Sequence, residues 1–160
     1  MKRILSMILL VLVATSSILA SELLQNAITV DSIEVFQGIL NSDYERKVNG
    51  RLSYTIGTEV VGTLPTRRWE SVSATVGARF YPLGNAINGI FLGGKAYLGY
   101  GITSKNFFSW LVPSVGYNYI ADNGFTLNIG GDFIFPLTHY IKTGEIIFKP
   151  TFRLKLGYAW

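Results

Sequence analysis

The last sixteen residues alternate without a break. Ile146, Phe148, Pro150, Phe152, Leu154, Leu156, Tyr158 and Trp160 share one parity, and Glu145, Ile147, Lys149, Thr151, Arg153, Lys155, Gly157 and Ala159 the other. A period of two sends successive side chains to opposite faces of a β-strand. Strands in soluble proteins run to about five or six residues. An amphipathic strand of this length therefore restricts the chain to few sheet architectures.

The pattern recurs upstream over residues 125–135, 111–119, 90–100, 72–80, 52–60 and 40–48, which makes seven strands. An eighth is expected over 27–36. There Ile28 and Val30 fall on one parity, Ile33 and Val35 on the other. The phase change at Asp31-Ser32 reads as a bulge, which shifts alternation by one residue. Asn49-Gly50 suits a two-residue type I′ turn, because both positions need positive φ. Asp122-Asn123-Gly124 is a second tight turn, and 82–88 a modestly longer one. The remaining connections are a very short one near Gln37-Gly38, then 62–68, 102–106 and 136–144. Three turns on the side of the termini and four connections opposite describe an eight-stranded up-and-down barrel. Far-side loops are expected to be longer, and the first departs from that.

Composition then selects the solvent. The chain is 49% hydrophobic and 15% charged, which ordinarily means membrane helices or a large core. Yet after residue 20 no apolar run approaches the roughly 18 residues of a spanning helix. The polar parity carries Asp43, Glu45, Lys47, Glu59, Arg79, Lys95, Asp132, Lys149, Arg153 and Lys155, and it shares its positions with Gly57, Gly77, Gly93, Gly99, Gly116, Gly130 and Gly157. Small residues beside long charged ones suit a narrow lumen. The apolar parity is crowded with aromatics near the strand ends. Tyr44, Phe80, Tyr119, Phe125, Tyr158 and Trp160 cluster at the turn end, and Trp69, Tyr100, Phe107, Phe135 and Phe148 at the loop end. Two such girdles are the mark of rings at lipid headgroup level. The expected fold is thus all-β, an eight-stranded antiparallel transmembrane barrel with its polar face inward. A soluble periplasmic barrel binding an apolar ligand remains an alternative.

Residues 1–20 read as a cleavable signal peptide and 21–160 as the barrel. Lys2 and Arg3 precede an apolar stretch of about ten residues, too short to span, and small residues follow up to Ala20. Cutting after Ser16 or Ser17 stays open. Of 14 basic residues two lie in this leader, which leaves 12 against 10 acids and a net charge of +2 rather than +4. No basic cluster longer than Arg67-Arg68 survives, so no nucleic-acid partner is expected.

The closing stretch, Phe152-Arg153-Leu154-Lys155-Leu156-Gly157-Tyr158-Ala159-Trp160, resembles the C-terminal signal of bacterial outer-membrane barrels. That signal usually ends in Phe, and Trp160 keeps its aromatic chemistry. Its apolar parity is Phe152, Leu154, Leu156, Tyr158 and Trp160. Asp43-Tyr44-Glu45-Arg46, the Asn49-Gly50 turn, Leu52-Ser53-Tyr54, Gly77-Ala78-Arg79-Phe80-Tyr81-Pro82 and the Gly-rich strand 89–101 resemble small barrels of the OmpA/OmpX-like superfamily. The resemblance implies an outer-membrane location, recognition by the barrel-assembly machinery and a monomer. It implies architecture rather than activity. No peptidoglycan-binding domain like that of OmpA is expected after the barrel.

The inward charges, with Glu145 added, read as an ion-pair network that satisfies buried groups. A narrow porin-like channel for ions or small solutes is the alternative function. Catalysis is not expected. The single His, His139, stands beside Thr138 with Glu145 nearby, but barrel deacylases pair their His with a Ser two positions on, where this chain has Ile141. The palmitoyltransferases need an amphipathic N-terminal helix, which 21–26 is too short to supply. One His, no Cys and no clustered carboxylates at calcium-loop spacing leave no expected metal site, and no cofactor motif is present. Arg67, Arg68 and Trp69, with Lys105 and Lys142 in neighbouring far-side loops, form a basic-aromatic patch suited to lipopolysaccharide phosphates.

Overall fold

A strand leaves N–H and C=O groups unpaired along its edges, and only a sheet that closes on itself removes every edge. This chain does so. A computed structural model describes residues 24–63, 68–83, 85–144 and 148–160. Its elements are β1 (Asn26–Asp31), α1 (Ser32–Phe36), β2 (Ile39–Lys47), β3 (Leu52–Thr63), β4 (Arg68–Phe80), β5 (Gly89–Gly101), β6 (Asn106–Ile120), β7 (Phe125–Pro136), α2 (Leu137–Thr143) and β8 (Lys149–Ala159). The strands form a closed antiparallel barrel in sequence order. No described helix is long and apolar enough to cross a membrane. The expected leader, 1–20, lies outside the described residues.

Closure is made by the termini. β1 pairs with β8 from Ala27↔Ala159 to Asp31↔Lys155. Beyond the last pair, Gln25 and Asn26 N–H both donate to Trp160 O, and Trp160 N–H donates to Asn26 O. Two irregularities interrupt the ladders. The β3–β4 register shifts between Val61 and Gly62. In β6, Pro113 faces Gly94 of β5 but has no partner on β7, consistent with its missing N–H.

Alternation maps onto the barrel as inside and outside. Thr55, Glu59, Thr75, Arg79, Lys95, Asn118, Asn128, Arg153 and Lys155 are buried, whereas Ile56, Val76, Leu92, Leu98, Val115 and Leu156 are exposed. Among the described residues, fully buried side chains are mostly polar and exposed large side chains mostly apolar.

Several boundaries differ from the sequence reading. The first strand ends at Asp31, and 32–36 form a helical turn rather than strand past a bulge. The cause is local. Asp31 caps the turn, its Oδ1 accepting from Ile33 N–H at 3.0 Å and Glu34 N–H at 3.1 Å. Such side-chain bonds compete with a strand ladder, so the connection before Gly38 is a capped helix. β4 and β6 begin earlier than expected, at Arg68 and Asn106, and the 136–144 loop carries α2. The described part of the last strand begins at Lys149, since 145–147 lie outside the described residues.

The 82–88 turn holds the largest surprise. Pro82 and Leu83 stay exposed, but Ala86–Asn88 fold back into the mouth of the barrel. Ala86, Ile87 and Asn88 are buried. Ala86 N–H donates to Gly50 O at 2.9 Å, Tyr81 N–H to Arg51 O at 2.8 Å, and Asn118 Nδ2 to Ile87 O. Ile87 packs with Ala27, Ile120 and Ala159, and Ala86 with Tyr81 and Phe91. Ile87 holds φ at 69°, a region costly for a β-branched residue. Its complete burial offsets that strain.

Candidate functional site

The interior is built in tiers between the turn-end plug and the loop-end mouth. Just above the plug, Glu45 of β2 accepts from Arg79 Nη1 of β4 at 2.5 Å, from Ser53 Oγ at 2.5 Å and from Tyr81 Oη at 2.7 Å. Arg79 and Arg153 both stand over Phe91, their guanidinium carbons 4.5 and 5.6 Å from the ring centroid. That aromatic face offers partial compensation for two buried cations.

The middle tier centres on Asp43, which receives Lys95 Nζ of β5 and Lys155 Nζ of β8, the latter at 2.8 Å. Lys155 also donates to Asn41 Oδ1 at 2.7 Å, and Asn41 Nδ2 donates to Glu59 at 3.2 Å. On the opposite wall Arg153 Nη1 reaches both oxygens of Asp132, at 2.5 and 2.8 Å, and its Nε donates to Asn128 at 3.2 Å. Asn128 continues to Asn118, and Asn118 to the plug carbonyl of Ile87. Plug and ion pairs thus belong to one hydrogen-bonded system.

Glycines make the space for these long side chains. A Cβ at Gly57 would collide with Asp43. One at Gly77 would lie 2.7 Å from Lys95 Cγ, and one at Gly93 would lie 3.0 Å from Arg79 Cγ. At Gly130 it would sit 3.0 Å from Arg153 Nη2.

Of the ten charges read as inward, the structure brings Asp43, Glu45, Arg79, Lys95, Asp132, Arg153 and Lys155 into ion pairs. Glu59 is buried but meets Asn41 rather than a cation among the described residues. Lys149 is exposed at the loop end and Lys47 half-buried at the turn end, and neither forms an ion pair among the described residues. Glu145 lies outside the described residues.

Sequence reasoning missed Glu34, because 27–36 read as strand. It sits on α1 over the mouth, beside Asp31 and Glu59. Burial, then these two carboxylates, push its carboxyl up from 4.5 to about 7, against the pull of Lys155. Also missed was an aromatic wall at this end, where Trp110 packs in tilted contact with Tyr97 and Phe108, ring centroids 5.9 and 4.9 Å apart. Its signal was the parity of Phe108 and Trp110, which matches the inward positions of β6.

The outer surface carries the two aromatic groups. At the turn end Tyr44 contacts Tyr54 and Trp160, at 6.5 and 6.4 Å. At the loop end Tyr100 meets Phe107 at 5.1 Å and Phe135 meets Phe148 at 5.5 Å. Phe152, Leu156, Tyr158 and Trp160 of the closing segment are exposed and Leu154 is half-buried. In the basic-aromatic patch Arg68, Trp69 and Lys105 are exposed. Arg67 lies outside the described residues, as does the side chain of Lys142. Thr138 Oγ1 is engaged by Ser109, accepting from its N–H at 2.7 Å and lying 3.0 Å from its Oγ.

Comparison with known proteins finds no matching family model, no similar curated protein and no similar solved structure.

Proposed function

We propose that the chain is a monomeric outer-membrane β-barrel of bacteria, of the OmpA/OmpX-like kind, exported with its leader removed and serving a structural or surface-interaction role. One observation carries this reading: polarity is inverted relative to a soluble protein. The barrel buries Asp43, Glu45, Arg79, Lys95, Arg153 and Lys155 and exposes Ile56, Val76, Leu92, Leu98 and Val115. Water is a poor solvent for so continuous an apolar exterior, and lipid a good one.

The remaining assignments follow from that placement. Exposed Phe152, Leu156, Tyr158 and Trp160 suit capture by the barrel-assembly machinery. Arg68, Trp69 and Lys105, with Arg67 and Lys142 from the sequence reading, suit lipopolysaccharide at the outer rim. No catalytic role is assigned to His139. The channel reading is disfavoured by the plug, since Ile87, Tyr81 and Phe91 fill the turn-end lumen.

Cell fractionation with gel mobility before and after heating tests the location. The expected result is membrane recovery and a faster, heat-modifiable band. Recovery wholly in the soluble periplasm overturns the reading and leaves a soluble barrel with an apolar ligand.

A further inference from the structure

We propose that α1 is a gate in the side of the barrel, seated while Glu34 is neutral and released when Glu34 is charged. The wall leaves a gap for it. The β1–β8 ladder stops at Asp31↔Lys155. β8 runs on to Lys149 against β7, and β2 reaches back to Ile39 against β3. Beyond Asp31 no described strand joins β8 to β2, and the five residues of α1 stand in the opening. None of their side chains is fully buried, and Val35 and Phe36 are exposed. The edge of β8 beside them is blunted. Asn26 and Trp160 exchange backbone bonds, so alternate residues of β8 back from Trp160 turn their backbone toward this seam. Pro150 is one of them and has no N–H to offer, and Lys149 flanks it. Pro and Lys are the residues of an edge that stays unpaired.

α1 is fastened at its two ends. Ser32 Oγ donates to Leu154 O at 2.8 Å, and past the other end Gly62 N–H donates to Gly38 O at 2.9 Å. Gly38 holds φ at 84°, which glycine adopts without strain. Turning about these points moves α1 without opening a strand ladder. Behind it lies a cavity of about 30 Å³ whose wall includes Glu34, Asn41, Val112, Thr151 and Phe152. Phe152 has the outward parity of β8, so the cavity reaches the gap. Glu34 faces Asp31 of β1, Glu59 of β3, Lys155 of β8 and the Asn41 amide of β2. Lys155 is held by Asp43 and Asn41. Asp132 and Arg153, on the same wall with Tyr97, bond each other. Burial and the two carboxylates push the Glu34 carboxyl up to about 7. Below that pH it is neutral and α1 stays seated. Above it, a half-buried charge stands beside two others of its own sign, and release returns it to water. The gate belongs to the barrel wall and does not depend on what surrounds the barrel.

The chain has no Cys, so introduced cysteines report cleanly. Nitroxide labels at Val35→Cys and Phe152→Cys occupy exposed sites on either side of the gap. In the refolded barrel in detergent, pulsed electron spin resonance is expected to give one short distance at pH 5 and a second, longer population at pH 8.5. Glu34→Gln is expected to keep the short distance alone at both. Labels at Val76→Cys and Ile129→Cys, exposed on β4 and β7, should give one distance throughout and so report an intact barrel. Val112→Cys probes the cavity. Its reaction with methyl methanethiosulfonate, taken relative to Val35→Cys at the same pH, is expected to rise at least tenfold from pH 5 to pH 8.5, and less than twofold with Glu34→Gln. A Val35–Phe152 distance that ignores pH overturns the proposal, as does an equal pH response in Glu34→Gln. Displacement of α1 with no gain in Val112→Cys reactivity overturns it too.

Discussion

Asp43 shows how strongly a single interior residue is constrained. It pairs with Lys95 and Lys155 together, so its removal leaves two buried cations without that partner. Breaking a buried pair from one side costs about 3–5 kcal/mol. Asp43→Ala is expected to lose at least that much in reversible denaturant unfolding, and the loss should shrink in the Asp43→Ala/Lys95→Met double variant. Additive losses would show that the pair is not coupled. Glu34 acts in the opposite sense. Its folded value, about 7, lies above the ordinary 4.5, so the folded state holds its proton more tightly. That contribution is fully present below 4.5 and is lost as pH rises through 7. Glu34→Gln should therefore gain stability relative to wild type at pH 8 and not at pH 4.5. The same difference at both pH values would refute the assignment. Asp43 stood out in the sequence because its parity placed it inside. Glu34 did not, because a cap made by Asp31 is a geometric event hidden within an apolar, strand-like stretch.

At the level of the element, the turn after β4 decides whether the barrel is open. Residues 82–88 read as a connection because Pro and Gly punctuate them. The inward fold of Ala86–Asn88 depends on partners far along the chain, Asn118 and Gly50, and on an apolar pocket formed by Ala27, Ile120 and Ala159. Replacing 82–88 with a flexible Gly-Ser segment of equal length is expected to produce conductance steps in planar bilayers, whereas the native chain produces none. Equal conductance from both would sink the plug. The glycine register is the complementary case, legible from the sequence as small residues beside charged ones. Gly77→Val must displace Lys95 or the β5 backbone, and a loss of about 1–3 kcal/mol is expected from such overpacking. An unchanged denaturation midpoint would mean that the lumen is looser than these distances indicate.

For the whole molecule, what matters is which solvent meets the apolar face. Val76 is 59% exposed near the middle of β4. In a membrane barrel, Arg on the lipid face near the midplane costs about 2–4 kcal/mol. In a soluble barrel a surface substitution there falls within about 0.5 kcal/mol. Folding Val76→Arg into lipid vesicles is expected to show the larger loss, and a neutral result would favour the soluble alternative. The eight-stranded closed sheet was readable from alternation together with the placing of turns and loops. Its ends were not, and β1, β4 and β6 each start or stop away from the expected positions.

Alternation determined the two faces of every strand, because a period of two is a local property of the backbone that no neighbour can change. Strand number and antiparallel order followed from it together with the turn positions, and the inward parity of the charges from the glycines that share their face. Tertiary structure alone decided which charges meet, since Glu45 and Arg79 are brought together only by registers across three strands. It also decided that the turn end is filled by Ala86, Ile87 and Phe91. Both depend on how side chains from distant strands divide one narrow volume, and that division has no counterpart in the order of residues along the chain.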